Sequence, residues 1–218
     1  MTRSYEQRCF IARSLDVLGE RWTLLILREL TLGPRRYGEI LDALPGLGTS
    51  LLAARLKHLE KHRVVRRTML TGAGRTGVAG AYELADRGQA LLPVLTGLAE
   101  WGAGLEAPPP TYTDRVAWRL VAMRLTAPDE AVRFDTLTQL DVDDEQFWLR
   151  GDGGQVQVRV GAAPMKPDLR LKCGTDTFTS LARGRTTVDR EVAAGDLVVD
   201  GEPDTARLFF ETFSLPGG

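Results

Sequence analysis

Leu47-Gly48-Thr49-Ser50-Leu51-Leu52-Ala53-Ala54-Arg55-Leu56-Lys57-His58-Leu59-Glu60-Lys61 is the stretch on which the reading of this 218-residue chain turns. Leu52, Leu56 and Leu59 stand at i, i+4 and i+7, one stripe of a 3.6-residue period, which predicts a helix that buries this face. Thr49, Ser50, Ala53, Ala54 and Lys57 fall on the other face. Thr49 and Ser50 are placed to accept hydrogen bonds from the first-turn amides and are expected to cap the helix start. A merely solvated helix face carries long charged side chains. Small and hydroxyl residues flanked by Arg55 and Lys57 suit a helix that approaches a groove closely. An ordinary core helix explains the leucines equally well, because periodicity reports burial alone.

Upstream, Pro45-Gly46 turns the chain, and Arg35, Arg36 and Tyr37 are expected to open a short helix running to Leu44. Gly33-Pro34 breaks the preceding run, since proline neither continues a helix nor favours helical geometry in the residue before it. That run, Arg21 to Leu32, is apolar almost all round and should be a central buried helix. Before Gly19, Phe10, Ile11, Leu15 and Leu18 give the segment from Ser4 to Leu18 an amphipathic helical pattern. Two helices joined by a short Pro/Gly turn make a helix-turn-helix, with 47–61 as its second helix.

Downstream, Val64 to Leu70 reads as a strand, 71–77 as a glycine-rich loop carrying Arg75, and Val78 to Leu84 as a second strand. A helix-turn-helix followed by a hairpin is a winged helix. Asp86 is expected to cap a further helix from Arg87 to Gly102. Its Leu91, Leu92, Val94, Leu95, Leu98 and Trp101 exceed what one small core covers, which predicts a second copy of the chain as partner.

Glu106-Ala-Pro-Pro-Pro-Thr marks a domain boundary, because consecutive prolines favour an extended spacer. The predicted division is a first domain over 1–107, a linker over 108–112 and a second domain over 113–218. In the second domain Asp114 should cap a helix from Arg115 to Leu125. Strands follow at 146–150, 155–161 and 168–173, then a short helix at 175–182, a strand from Leu197 and a closing helix at 204–213. Residues 1–107 hold 15 Lys/Arg against 11 Asp/Glu, a net of +4. Residues 108–218 hold 13 against 18, a net of −5. A basic first half favours a polyanionic partner and an acidic second half does not.

Apolar residues make up 43% of the chain, enough for real cores. No apolar run approaches the ~18–20 residues of a membrane span, and Met1 to Phe10 is too polar for a signal peptide. Cys9 and Cys173 are the only cysteines, which fits a reducing cytoplasm better than a disulfide scaffold. A cytoplasmic protein is the expectation.

The first half resembles the HxlR-type transcriptional regulators. The residues that carry the likeness are Leu18-Gly19-Glu20-Arg21-Trp22-Thr23, Leu27-Arg28-Glu29-Leu30, Gly33-Pro34-Arg35-Arg36-Tyr37, Leu52 with Arg55-Leu56, Tyr82-Glu83-Leu84, Gly88 and Trp101-Gly102. It spans roughly residues 5–105. The resemblance implies a homodimer, joined through its terminal helices, that reads a two-fold site in double-stranded DNA. Thr49, Ser50, Ala53, Ala54 and Lys57 would face the major groove, Arg35 and Arg36 would lie near phosphates, and Arg75 would reach from the wing to the backbone or minor groove. Arg63 stands where the family has glycine before the wing. Cys9 occupies the place of the family's oxidant-sensing cysteine, with Phe10 in place of the usual proline. A buried structural role for this cysteine is the favoured reading.

The second half resembles the sterol-carrier-protein-2 fold, in which helices over one face of a sheet enclose an apolar tunnel. Gln155-Val-Gln-Val-Arg-Val-Gly-Ala-Ala, Asp168-Leu-Arg-Leu, the stretch 175–184 and Ala194-Gly-Asp-Leu-Val-Val-Asp-Gly-Glu-Pro carry this likeness over about residues 113–215. The whole chain is thus expected to be α+β, a winged helix followed by a mixed sheet with helices over one face. Trp118, Val121, Phe147, Leu149, Leu171, Phe178, Leu181, Leu208 and Phe213 either line a cavity for a hydrophobic small molecule or lipid, or fill the core. Residue type leaves both open.

His58 and His62 stand at i, i+4, a spacing that can hold zinc, but no cysteine or carboxylate completes a site. Asp141, Asp143, Asp144 and Glu145 lack the spacing of a calcium loop and read as a solvated turn. No nucleophile is paired with a base, so no enzyme, metal or cofactor is expected. The leading expectation is a dimeric DNA-binding regulator modulated by an apolar effector in its second domain. Two alternatives are a regulator whose second domain only dimerises or docks a protein, and a lipid carrier whose winged helix does not bind DNA.

Overall fold

The computed structural model describes residues 4–71, 78–106, 109, 111–128, 131, 133–152 and 155–215. The chain divides into two compact units, Met1–Leu95 and Thr96–Gly218. Among the described residues no helix is long and apolar enough to cross a membrane.

The first unit contains α1 (Phe10–Leu18), α2 (Thr23–Thr31), β1 (Arg35–Arg36), α3 (Tyr37–Ala43), α4 (Thr49–Lys61), β2 (Val65–Thr71), β3 (Val78–Leu84) and α5 (Asp86–Gln89); α6 (Leu92–Ala103) begins in it. The strands form one antiparallel sheet in the order β1-β3-β2. Ile26, Leu27, Leu30, Ile40, Leu52, Leu56 and Leu59 are at most 2% exposed and form the core. The apolar stripe of α4 is therefore interior, as its period predicts, and truncating one such leucine to alanine costs about 2–5 kcal/mol.

Several local expectations are corrected. Arg35 and Arg36 are not themselves helical: they pair as strand β1 with Tyr82 and Ala81, and Arg36 is the N-cap of α3, which starts at Tyr37. Sheet pairing satisfies backbone groups that a helix start would leave orphaned. Gly48 is the N-cap of α4, and no side chain caps it, so Thr49 and Ser50 lie inside the first turn. The amphipathic pattern from Ser4 becomes helical only at Phe10; before it, the Asp16 carboxylate holds the Ser4 hydroxyl and the Tyr5 amide at 3.0 and 2.8 Å. The helix expected from Arg87 to Gly102 is two, α5 and α6, because Pro93 has no amide to continue the ladder.

In the second unit α7 (Val116–Thr126) precedes β4 (Thr138–Val142), β5 (Glu145–Asp152), β6 (Gln155–Val160) and β7 (Leu169–Cys173). Then come α8 (Thr175–Ala182), α9 (Val188–Ala194), β8 (Leu197–Asp200) and α10 (Pro203–Thr212). The sheet order is β6-β5-β4-β7-β8, mixed because β4 and β7 run parallel while the other pairs are antiparallel. Cross-strand register aligns Phe147, Leu140 and Leu171 in one row, with Val158, Leu149, Thr138 and Leu169 in the next. These rows form the apolar face; α7 packs on β6, and α10 packs on β7 and α8.

The acidic run is not a solvated turn throughout. Only Asp143 and Asp144 turn the chain; Asp141 lies within β4, is 6% exposed, and accepts from Arg170 Nε at 2.6 Å and Gln146 Nε2 at 3.0 Å. Strand β4 itself, and helix α9, are elements that the sequence reading did not place.

Candidate nucleic-acid interface

Burial of Leu52, Leu56 and Leu59 leaves the other side of α4 in solvent, so Thr49, Ser50, Ala53, Ala54 and Lys57 are all exposed. The start of this helix is fixed from α3: Tyr37 Oη donates to the Thr49 carbonyl at 2.5 Å. Its inner flank is fixed by Arg55, which contacts the Glu20 carboxylate at 2.8 Å from the α1–α2 connection. These two ties set the angle at which the small exposed face is presented.

The helix ends in a paired-carbonyl turn. The Val64 amide reaches the Leu59 carbonyl and the Arg63 amide reaches that of Glu60, both at 2.9 Å. This motif needs a left-handed residue at the turn. Arg63, in the place of glycine, supplies it with φ +57°. The substitution keeps the geometry and adds backbone strain.

Arg35 and Arg36 are half-buried on β1, beside α3. The Arg36 amide donates to the Glu39 carboxylate at 2.9 Å, and its guanidinium is 3.6 Å from the same group. On the wing strands, Arg66 pairs with Glu83 at 2.7 Å and Arg67 pairs with Glu60 at 3.0 Å. Arg67 also stacks on the Tyr82 ring, 5.7 Å from its centroid. Tyr37, Ala53, Lys57, Glu60, Lys61, Arg67 and Tyr82 line an open groove of about 820 Å³ beside α4. Tyr37, Lys61, Arg67 and Tyr82 are not among the site residues expected from the sequence. The signal that joins the last two is the hairpin register, which sets Arg67 opposite Tyr82. Arg75 lies outside the described residues.

The His58 and His62 rings sit 4.6 Å apart, and among the described residues no group of three or more potential ligands gathers to hold a metal ion. Cys9 is exposed, and a buried structural role for it is thereby corrected: it stands just before α1, outside any packed layer. The Cys173 thiol is pushed up to about 12, first by burial and then by Asp143.

In the second unit the residues proposed to line a cavity do not share one environment. Val121, Phe147, Leu149, Leu171, Phe178, Leu181 and Phe213 are at most 3% exposed. Trp118 is half-buried, and Leu208 is 51% exposed on α10. Phe134, Phe209 and Phe213 stack edge-on or tilted at 5.1–5.9 Å, and Phe178 meets Phe210 at 6.2 Å. Such contacts occupy space that a ligand would otherwise take.

Comparison with known proteins matches residues 17–108 to the HxlR-like helix-turn-helix family and residues 120–214 to the SCP-2 sterol transfer family. The chain is 38% identical over 95 residues to the uncharacterized HTH-type transcriptional regulator sll1512 of Synechocystis sp., covering 44% of this chain and 68% of that protein. It is 39% identical over 89 residues to the uncharacterized HTH-type transcriptional regulator YvaP of Bacillus subtilis, covering 41% and 80%. The reduced form of the transcriptional regulator YodB from B. subtilis is 34% identical, covering 47% of this chain and 99% of that one, with a TM-score of 0.39. An exposed small-residue helix in a winged frame and relatives matched over most of their length lead to one assignment: this chain belongs to the HxlR-like helix-turn-helix family and carries an SCP-2 domain behind its winged helix.

Proposed function

We propose that the protein is a DNA-binding transcriptional regulator, acting in the cytoplasm as a homodimer and without catalytic activity of its own. The observation that carries this reading is the two-sidedness of α4: three leucines at 0–1% exposure on one side, and Thr49, Ser50, Ala53, Ala54 and Lys57 bare on the other. A major groove admits one helix, and small residues permit its close approach. Ala53 and Ala54 bring few hydrogen-bond donors, so phosphate contacts and DNA shape contribute much of the recognition. Arg35 and Arg36 are the proposed phosphate contacts in the described region, Lys57 is assigned to the major groove with the rest of the bare face of α4, and Arg75 is assigned to the wing. Dimerisation is supported separately by Ile11 and Leu15 on α1, and by Val94, Leu98 and Trp101 on α6, all more than 40% exposed.

Fluorescence anisotropy on promoter DNA tests this reading. Replacing Arg35 and Arg36 with alanine should weaken binding across sequences and reduce the salt slope by about 0.9 per lost contact. An unchanged slope would remove both residues from the interface.

The proposed organisation is a DNA-binding and dimerisation domain over 1–107, a proline-rich linker over 108–112 and an SCP-2-like domain over 113–218. An effector domain that binds an apolar small molecule or lipid is supported by the family match over residues 120–214. A second reading is supported by the ring contacts among Phe134, Phe209 and Phe213: a filled domain that dimerises or docks a protein. Native mass spectrometry separates the two, because a co-purified lipid requires a cavity.

A further inference from the structure

An open-sided cavity of about 620 Å³ lies on the winged unit, between α1, the end of α4 and the residues of α5 and just after it. Its volume falls in the range of small-molecule sites, ~300–1,000 Å³. Phe10, Val17, Val64 and Leu91 give it apolar walls, and Arg13, His62 and Arg87 give it cations. Among the described residues Asp16 is its one carboxylate, and both its oxygens are engaged by the Ser4 hydroxyl and the Tyr5 amide. We propose that this cavity binds a small organic acid, its apolar body against Phe10, Val17 and Leu91 and its carboxylate toward Arg87, Arg13 and His62.

The helix period separates this site from the face offered to a second copy. Phe10, Arg13, Ser14, Val17 and Leu18 follow i, i+3, i+4, i+7 and i+8 and line the cavity, whereas Ile11 and Leu15 share the neighbouring stripe. Phe10 is 80% exposed at the rim, so an occupant would cover apolar surface now in water. Arg87 donates one N–H to the His62 carbonyl at 3.3 Å, and a guanidinium carries further N–H donors in a fork that suits a carboxylate. The α4 carboxyl end opposes an anion, but Arg63, Val64 and Arg87 already engage its terminal carbonyls.

The groups facing His62 are His58 and Lys61 on α4, Arg87 on α5, and Arg13 and Asp16 on α1. Burial first, then His58, Lys61 and Arg87, hold its imidazolium below the ordinary value of 6.5. A bound carboxylate reverses that preference, so affinity should fall as pH rises through the raised, bound-state value.

The site is tested by calorimetric titration of octanoate into the full chain near pH 6, without DNA, so that its outcome is independent of operator binding. Saturable binding is expected, with octan-1-ol at least about tenfold weaker. Arg87→Met and Arg13→Met should each weaken octanoate about tenfold, and the His62 imidazole NMR signal should titrate at higher pH in the complex. Arg13 is exposed on α1, so its variant keeps the test valid should Arg87→Met fail to fold. Equal binding of octanol, wild-type affinity in the Arg13 variant, or absence of saturable binding would overturn the proposal. In the last case, dimer-dependent protection of α1 from hydrogen exchange would assign the cavity to a second copy.

Discussion

The Arg67 guanidinium, on a wing strand, lies 3.0 Å from the Glu60 carboxylate in the last turns of α4. Arg67 is 72% exposed, so the pair adds little to stability. On the proposed DNA interface its consequence is electrostatic: the Glu60 carboxylate lies in the groove beside α4 and occupies a cation that could otherwise meet a phosphate. Glu60→Gln should therefore tighten DNA binding by about three- to tenfold at low salt and steepen the salt slope by about 0.9, by freeing Arg67 for a phosphate. Anisotropy over a salt series measures both. An unchanged slope would place Arg67 outside the DNA footprint.

Arg63 offers a test of backbone strain. A left-handed L-residue costs about 1–2 kcal/mol, and the unfolded-chain entropy of glycine returns about 0.5–1. Arg63→Gly should thus stabilise the winged unit by about 0.5–1 kcal/mol, seen as a higher midpoint in urea unfolding. Gly184 and Gly195 occupy left-handed turns after α8 and α9 at no such cost.

At Gly88 the expected sign is reversed. A Cβ there would lie 2.2 Å from the Val64 carbonyl oxygen, which accepts the Ala85 amide at 3.0 Å. Backbone cannot yield as a flexible side chain does. Gly88→Ala should destabilise the unit by about 1–3 kcal/mol, with the loss of midpoint in the same assay.

The two cysteines should separate by reactivity. The thiolate is the nucleophile, and a thiol held at about 12 stays protonated throughout neutral and mildly alkaline conditions. Iodoacetamide at about pH 8 should label Cys9 in the native protein and leave Cys173 untouched until denaturant is added. Peptide mapping by mass spectrometry reads the outcome.

The parts legible in the sequence are those whose cause is local. Leu52, Leu56 and Leu59 announce their burial by spacing alone, and the bare face of α4 follows from the same period. The hairpin of β2 and β3 was legible from its glycine-rich centre. What escaped depends on distant partners. Asp141 reads as part of a solvated acidic run until Arg170, 29 residues on, reaches it, and so β4 was hidden. Arg35 and Arg36 read as a helix start, which Arg36 is as the N-cap of α3, but their strand pairing shows only once Tyr82 and Ala81 arrive. The Arg67, Tyr82 and Glu60 cluster exists only once the hairpin register is set.

Strand β4 is covered on both sides, by apolar neighbours on one and by Gln139 and Asp141 with their partners on the other. A slip of one residue would turn Gln139 and Asp141 into the hydrocarbon layer and Leu140 into the polar one. The same slip would unpair Arg170 and release the Ala163 amide from Gln139. The polar side of the central strand thus acts as a ratchet pawl for the whole sheet: it admits one alignment of β4 against β5 and β7 and penalises the next in either direction.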